Sequence, residues 1–214
     1  QLVRGRRAVL SASPELFLEV DGRRVETRPI KGTRPRGKDA ASDAALRAEL
    51  EASGKDRSEL AMIVDLERND LGRVSEIGSV AVAVARRLET YATVHHAVAT
   101  VRGILKPGMD LVDLLQAAFP GGSVTGCPRL RAMEILDALE PTRRGIYCGA
   151  IGWAGAESAC LNLAIRTMTL SKGVATLHAG GGLVADSDPE AEYRETLDKA
   201  RAMLEALGHA SRED

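Results

Sequence analysis

Runs of strand-like sequence in the 214-residue chain are separated by pairs of helix-like segments, and this order occurs twice. Alternating apolar and β-branched residues mark strand-like runs at 7–30, 78–105 and 145–184, whereas helical periodicity marks 42–69 and 110–140. Strict strand–helix–strand alternation is absent, which disfavours a parallel sheet of the Rossmann type. We therefore predict an α+β fold in which antiparallel β-sheets pack together with helices on the outside.

Turn and cap signals divide the first part of the chain further. Asp21 and Gly22 form a hairpin signal inside the opening run. The Gly-, Pro- and Lys/Arg-rich residues 31–42 are predicted to be a loop. Ser42 is the predicted N-cap of a first helix, and Gly54 is predicted to end it.

Two further helices are predicted from the same kinds of signal. The first covers 56–69 and has its apolar residues on one stripe, while the charge-dense segment 65–74 is predicted to be a helix end and turn without chemistry. The second closes the chain at 188–207, with Asp188 as its N-cap and Pro189 at its first position.

Charge and composition exclude several classes of function. The 29 Lys and Arg residues nearly balance 30 Asp and Glu residues, and aromatic residues make up 3% of the chain, so neither nucleic acid nor an anionic membrane is an expected partner. Apolar runs fall short of the roughly 20 residues of a membrane span. The three cysteines match no zinc spacing, and we expect free thiols in a reduced, cytoplasmic protein.

The closing helix carries a group of charges with metal-binding potential. Glu192, Glu195 and Lys199 have the spacing i, i+3 and i+7, which puts them on one helix face. Two neighbouring carboxylates repel each other unless a cation offsets their charge, and Mg²⁺ prefers oxygen ligands. The alternative is a solvated face with an i, i+4 pair between Glu195 and Lys199.

Candidate anion-binding groups lie upstream of that helix. Gly180 to Gly182 follow a strand and would aim backbone N–H groups at an anion, or else form a tight turn with positive φ. Arg166 lies in the apolar predicted strand 159–170 and would hold a carboxylate or phosphate, or else form an internal salt bridge. Tyr147 would supply a hydroxyl beside it, or else belong to the core.

Four further side chains are candidates for proton transfer or charge. His95 and His96 lie on opposite faces of a predicted strand, so we expect only one to point inward, where it would act as acid or base. Glu15 begins a predicted strand and is a candidate general acid. Glu59 is predicted on the first turn of a helix, where a carboxylate also matches the helix dipole.

Lys31 lies in the basic stretch "TRPIKGTRPRG" directly before a glycine. It is either a nucleophilic amine, part of an anion site, or one residue of a solvated basic loop. A free lysine has a pKa of about 10.4, so a nucleophilic lysine must first lose its proton through desolvation or nearby positive charge. Arg28, Arg34 and Arg36 are the candidate sources of that charge.

Seven segments occur in the order found in one known family: "SASPELF", "RPIKGTRPRG", "MIVDLERNDLGRV", "FPGGSVTGCP", "AIRT", "AGGGLVADS" and "EAEYRETLDKA". Over nearly its whole length the chain resembles the chorismate-utilising enzymes. These include anthranilate synthase, aminodeoxychorismate synthase, isochorismate synthase and salicylate synthase. The resemblance implies the antiparallel fold with outer helices predicted above.

The resemblance is closest to aminodeoxychorismate synthase component I, because Lys31 stands in "PIKGT" where anthranilate synthases typically have alanine. In that subgroup the lysine attacks C2 of chorismate while the C4 hydroxyl leaves, and ammonia then enters at C4 and expels the lysine. The implied product is 4-amino-4-deoxychorismate, a precursor of 4-aminobenzoate and folate. A glutamine amidotransferase subunit or domain would supply the ammonia.

Matching motif positions imply roles for individual residues. Glu15 would protonate the departing hydroxyl, His96 would lie under the ring, and Mg²⁺ would bind the ring carboxylate. The implied magnesium ligands are Glu59, Glu192 and Glu195. The implied substrate-binding residues are Gly32, Thr33, Thr125, Tyr147, Arg166, Gly180, Gly182 and Lys199.

The chain also departs from the family pattern. Arg129 stands where lysine is usual, and Tyr147 is the anthranilate synthase residue where some aminodeoxychorismate synthases have tryptophan. The family's domain begins before "SASPEL", so residues 1–214 are predicted to be a chorismate-binding catalytic domain without its N-terminal part. Alternatives are anthranilate synthase component I, a non-catalytic chorismate-binding fragment, and a Schiff-base site for pyridoxal phosphate.

Overall fold

Two antiparallel β-sheets form the fold in the computed structural model, which describes residues 1–185 and 187–208. The strands are β1 (Leu2–Arg4), β2 (Arg7–Ser11), β3 (Leu16–Asp21), β4 (Arg24–Arg28), β5 (Ile30–Pro35), β6 (Ala81–Thr90), β7 (Val94–Ile104), β8 (Ala150–Ala154), β9 (Ser158–Leu163), β10 (Thr167–Ser171) and β11 (Val174–Leu177). The helices are α1 (Ala40–Ala52), α2 (Gly54–Val74), α3 (Leu111–Ala118), α4 (Gly122–Thr125), α5 (Arg129–Leu139) and α6 (Pro189–Ala206).

The larger sheet is organised around β7. Strand β6 pairs with one edge of β7, while β5 and β4 pair with successive parts of its other edge. The order continues from β4 through β3 and β9 to β8, and the smaller sheet has the order β1–β2–β10–β11. Each of these strand pairs is antiparallel, which confirms the predicted fold class.

The core lies between the larger sheet and helices α2 and α3. Leu60 and Leu71 of α2, Leu114 of α3 and Val101 of β7 are fully buried within one apolar cluster. Burying a side chain of this size contributes roughly 1.5–3 kcal/mol of transfer free energy. This packing holds α2, which carries Glu59, against the strands that carry the other candidate residues.

Both early helices begin and end at different residues from those predicted. Asp39 is the N-cap of α1, and Ser42 is the third helical residue of its capping box. Gly54 begins α2 instead of ending α1, and Ser53 caps α2 through its side chain. Helix α2 continues past the predicted end at Asn69 because its last turns are buried against the core.

Residues 31–35, predicted to be a loop, belong to β5 and pair with β7. The Gly-, Pro- and Lys/Arg-rich composition of this segment is typical of a loop and gave no strand signal. The register between Ile30 and Thr33 shifts, so Lys31 and Gly32 form an irregularity in the pairing. Such a bulge changes the direction of a side chain relative to the sheet. Gly32 has φ = +86°, a conformation that favours glycine.

The predicted strand 159–170 is two strands in two different sheets. Strand β9 belongs to the larger sheet and β10 to the smaller one. Arg166 lies between them at φ = +47°, so the predicted position inside a strand is wrong. An apolar run can continue through a change of sheet because residues on both sides of the break remain in the interior.

Other predictions for this half of the chain are confirmed. Asp188 caps α6 by accepting a hydrogen bond from the Ala191 backbone N–H, and Pro189 is the first helical residue. The three cysteines, Cys127, Cys148 and Cys160, are free thiols. Within the described part of the chain, no helix combines the length and apolar character needed to cross a membrane.

Replacing Gly32 by alanine is expected to destabilise the fold more than the same change at Gly78, which has a similar φ of +81°. Both variants place a side chain in the left-handed region, at a cost of about 1–2 kcal/mol. A Cβ at Gly32 would also lie 2.7 Å from Leu50 Cδ1 and 2.8 Å from Asp56 Cγ, whereas Gly78 faces open space. We expect Gly32→Ala to lower the free energy of unfolding in urea by roughly a further 1–3 kcal/mol. Equal losses in the two variants would contradict this packing argument.

Candidate active site

The backbone of Gly180–Gly182 forms one wall of the candidate site. A Cβ on Gly180 would lie 3.1 Å from the Tyr147 hydroxyl, and one on Gly181 would lie 3.1 Å from Glu192 Oε2. A Cβ on Gly182 would lie 3.2 Å from Lys31 Nζ. Positive φ does not explain the three glycines, since none has one. They permit a close approach of the backbone to three polar side chains, so the segment brings together groups from distant parts of the sequence.

Lys31 reaches this wall from the irregularity in β5. Burial raises the pKa of Glu15 and of Glu59, and the charge of Lys31 partly offsets both shifts, so the ammonium lies within electrostatic range of both carboxyl groups. Gly182 is the wall residue nearest to its Nζ atom. The structure therefore places Lys31 at the glycine wall, within electrostatic range of the candidate general acid and of one candidate metal ligand.

The three arginines named as candidate sources of positive charge near Lys31 are each paired with a carboxylate. Their guanidinium groups form ion pairs with carboxylates: Arg28 with Glu89 at 2.5 Å, Arg34 with Glu49 at 2.7 Å and with Asp56 at 3.3 Å, and Arg36 with Asp43 at 2.7 Å. These partners lie far away in sequence or on the following helices. Sequence proximity alone could not reveal how the charges are compensated.

Glu15 is a buried carboxyl group at the start of β3. Its exposed fraction is 6%, and the Ser123 hydroxyl donates a hydrogen bond of 2.8 Å to its Oε1 atom. Burial raises the pKa of Glu15, an effect that the Ser123 hydrogen bond and the Lys31 charge only partly offset. A carboxyl group that keeps its proton closer to neutral pH is suited to act as a general acid.

Glu59 and Glu192 share one ammonium group. Lys55 Nζ lies 2.8 Å from Glu192 Oε1 and 3.9 Å from Glu59 Oε1. Burial raises the pKa of Glu59, whereas the hydrogen bond from Lys55 lowers the pKa of Glu192. The Ser187 hydroxyl also donates to Glu192 Oε1, at 2.6 Å. Glu59 lies in the second turn of α2 and not, as predicted, in the first turn of a helix.

Carboxylates that converge on a cation have the donor chemistry that Mg²⁺ prefers. Glu59 and Glu192 meet this condition, with the Lys55 ammonium as the shared positive charge. Glu195 instead pairs with Lys199 at 2.6 Å, the i, i+4 contact given above as the alternative. Over residues 1–185 and 187–208, no three His, Cys, Asp or Glu side chains form a group that could hold a metal ion.

His95 and His96 are both buried, so the expectation that only one would point inward is wrong. Strand β7 is covered on both faces. His95 Nε2 lies 3.0 Å from Asp43 Oδ1, and His96 Nδ1 lies 2.8 Å from the Thr33 hydroxyl. Burial and the charge of Arg166 lower the pKa of His96 to about 4, so its imidazole is neutral near pH 7.

Tyr147 lies just before β8 with its ring stacked on His178, at a centroid distance of 5.4 Å and an interplanar angle of 13°. Burial raises the pKa of Tyr147, which keeps its hydroxyl protonated as a donor. Arg166 interacts electrostatically with Glu15 and His96. Lys199 donates to the Gly180 carbonyl at 3.3 Å. The structure therefore places Tyr147 and Lys199 at the glycine wall and Arg166 within electrostatic range of Glu15 and His96.

Thr125 and Arg129 have partners outside this wall. Thr125, in α4, donates its hydroxyl hydrogen bond to the Gly121 carbonyl at 2.9 Å. Arg129 forms an ion pair with Asp70 and donates to the Ala117 carbonyl at 3.1 Å, so it joins α5 to α2 and α3. In the structure Arg129 thus holds three helices together.

Sequence reasoning missed two residues of the site. Ser123 carried no signal, because its contact with Glu15 spans 108 residues. Lys55 had a weak sequence signal, since it stands four residues before Glu59 and side chains with this spacing meet on a helix. Its stronger contact, with Glu192, spans 137 residues and depends on how α6 packs against α2.

Comparisons with known proteins give consistent results. A sequence model of the family described as "chorismate binding enzyme" matches residues 2–205. The chain is 51% identical to anthranilate synthase component 1 of Streptomyces coelicolor over 207 residues, or 96% of this chain and 40% of that protein. It is 50% identical to aminodeoxychorismate synthase component 1 of Bacillus subtilis over 200 residues, or 93% of this chain and 43% of that protein.

Solved structures give the same result. The crystal structure of anthranilate synthase component I from Streptococcus pneumoniae TIGR4 superposes with a TM-score of 0.82 and 40% identity, covering 93% of this chain and 44% of that one. The chain thus spans less than half the length of the relatives named here.

Acidification is expected to destabilise the chain partly through His96. Its pKa is about 4 when folded against an ordinary value of 6.5, so the unfolded chain binds the proton more tightly. This contribution to stability is complete above pH 6.5 and is lost as the pH falls toward 4. Between pH 7 and pH 5 we expect a loss of about 1–2 kcal/mol in the free energy of unfolding, measured in urea. The loss should be smaller by that amount in His96→Gln, and an equal loss in both proteins would contradict the expectation.

Proposed function

The chain belongs to the family of chorismate-binding enzymes, and we propose that it is the C-terminal catalytic part of an aminodeoxychorismate synthase component I. It would convert chorismate and ammonia to 4-amino-4-deoxychorismate. The Bacillus subtilis relative of that name, 50% identical over 93% of this chain, supports the proposal. The chief support is the position of Lys31 at the glycine wall, within electrostatic range of Glu15 and Glu59.

Lys31 acts as the nucleophile in this proposal. Its unprotonated amine bonds to C2 of chorismate, the ring double bonds shift, and the C4–O bond breaks. Glu15 gives its proton to the departing hydroxyl, which leaves as water. Ammonia then bonds to C4, the double bonds shift back, and the C2–N bond breaks to release Lys31. A glutamine amidotransferase subunit or domain would supply the ammonia.

The two carboxylates of the substrate would bind at opposite ends of the site. Tyr147 and Arg166 would hold the enolpyruvyl carboxylate. The protonated hydroxyl of Tyr147 and the guanidinium of Arg166 in the interior support this assignment, because both can donate hydrogen bonds to a carboxylate. Neutral His96 would lie under the ring, held by its contact with Thr33. The ring carboxylate would contact Lys199 and the backbone at Gly32, with Gly180 and Gly182 forming the wall.

A magnesium ion would be held by glutamate carboxylates at the end of the site that binds the ring carboxylate. Glu59 and Glu192 would be its ligands, joined by Glu195 once the ion pair of Glu195 with Lys199 opens, and the ion would supply positive charge that holds the ring carboxylate. The support is the arrangement of Glu59 and Glu192 around a single ammonium group. These glutamates would bind the ion and orient the ring carboxylate. Thr125, in α4, would lie near the substrate.

Anthranilate synthase component I is the second candidate. The Streptomyces coelicolor relative of that name is 51% identical over 96% of this chain. Tyr147 is also the residue that the anthranilate synthases carry. The two reactions differ in their products, because anthranilate formation releases pyruvate and aminodeoxychorismate formation does not.

Lys31→Ala is expected to reduce formation of 4-amino-4-deoxychorismate by roughly 10³-fold or more, because the nucleophile is lost. The chain is incubated with chorismate, ammonium and Mg²⁺, and products are separated by liquid chromatography. Lys38→Ala is the matched control, since Lys38 is an exposed lysine in the connection that follows β5. Anthranilate with pyruvate as the product, or full activity in Lys31→Ala, would overturn the assignment. Magnesium-dependent binding of chorismate without turnover would instead favour a non-catalytic fragment.

Glu15→Gln is expected to lower kcat by about 10²–10⁴-fold, because an amide cannot supply the proton to the leaving hydroxyl. The wild-type rate should fall on the alkaline side as Glu15 loses its proton, at a pH above the usual range for glutamate. Ser123→Ala removes a hydrogen bond that lowers the Glu15 pKa, so this fall should move to higher pH. A Glu15→Gln variant that retains wild-type turnover would exclude Glu15 as the acid.

A further inference from the structure

We propose that Lys55 is a displaceable counter-ion of the glutamate site. Its ammonium group neutralises Glu192 and Glu59 when no divalent cation is bound, and it moves out toward solvent when one binds. This inference rests on the magnesium site of the proposed function, and it adds a residue to which neither the sequence motifs nor the proposed mechanism assigned a role.

The position of Lys55 between the two carboxylates is the first observation. Its Nζ atom lies 2.8 Å from Glu192 Oε1 and 3.9 Å from Glu59 Oε1, so one ammonium group contacts two helices. A divalent cation that uses both carboxylates would need the same space. The charge of Lys55 would also repel that cation at close range.

Differences in exposure show how the ammonium group can leave. The Glu192 side chain is 7% exposed and that of Glu59 is 14% exposed, whereas Lys55 is 50% exposed. The two carboxylates are therefore fixed in the interior, and the cation that neutralises them lies at the mouth of the site. Lysine carries a compact charge on a flexible stem, so its displacement requires only side-chain rotation.

Glu192 keeps its orientation without Lys55. The Ser187 hydroxyl donates to the same Oε1 atom at 2.6 Å, and Oε2 faces Gly181 in the glycine wall. One carboxylate oxygen therefore has a second partner when the ammonium group departs. For this reason we assign Lys55 a role in balancing charge and not in holding Glu192 in place.

The neighbouring lysines have other partners. Lys199 pairs with Glu195 at 2.6 Å and donates to the Gly180 carbonyl, and Lys31 lies against Gly182 near Glu15. Lys55 contacts only the two candidate ligands among the ion pairs of the described residues. Its removal therefore changes the charge at the metal site with the least effect on the proposed chemistry.

The test is a titration of the 214-residue chain with Mn²⁺, which suits the same oxygen ligands as Mg²⁺. Free Mn²⁺ is measured by electron paramagnetic resonance, and Mg²⁺ is added as a competitor. Lys55→Gln should bind Mn²⁺ about fivefold more tightly than wild type, since the cation no longer has to displace an ammonium group paired with the two carboxylates. Lys55→Arg, which keeps the charge, should stay within about twofold of wild type, as should Lys38→Gln.

Each result has a distinct meaning. Tighter binding in Lys55→Gln alone supports the counter-ion role. Equal or weaker binding in Lys55→Gln, with wild type binding Mn²⁺, overturns that role and leaves the proposed magnesium site intact. Absence of Mn²⁺ and Mg²⁺ binding in all four proteins would overturn both the magnesium site and this inference.

Discussion

The pairing of β5 with β7 determines where Lys31 lies, and the proposed chemistry depends on that position. The ladder is interrupted between Ile30 and Thr33, which allows Lys31 to point toward the glycine wall while Thr33 remains beside His96. Gly32 makes this possible because its φ of +86° and its lack of a side chain suit the space against Leu50. A regular strand would leave the lysine on a different side of the sheet.

Burial and ion pairing give the ionisable groups of the site different protonation states. Burial keeps Glu15 protonated to higher pH and keeps His96 neutral, whereas the Lys55 ammonium keeps Glu192 ionised. Lys55 pairs with Glu192, Lys199 pairs with Glu195, and Lys31 acts electrostatically on Glu15 and Glu59, so each of these glutamates has a lysine charge near it. This compensation matters because a buried charge left without a partner is costly.

The change of sheet after β9 connects the two halves of the site. Arg166 lies at this break with φ = +47°, and the strands on either side belong to different sheets. The smaller sheet leads directly to the glycine wall, while the larger sheet carries Lys31 and His96, and Glu15 directly precedes its strand β3. The site therefore forms where the sheets meet, a common location for ligand binding between packed elements. It is contained in a chain that spans less than half the length of its named relatives.

The fold class, Asp188 as the N-cap of α6 and the motifs that supply the candidate site residues can be read from the amino-acid sequence, because periodicity, caps and motif spacing are local or fixed along the chain. The folded protein is needed to see that residues 31–35 form a strand, that both histidines are buried, and that Arg28, Arg34 and Arg36 are paired with carboxylates. Each of these depends on a partner elsewhere in the chain. Ser123 and Lys55 belong to the same class, since their contacts with Glu15 and Glu192 exist only once distant elements have packed.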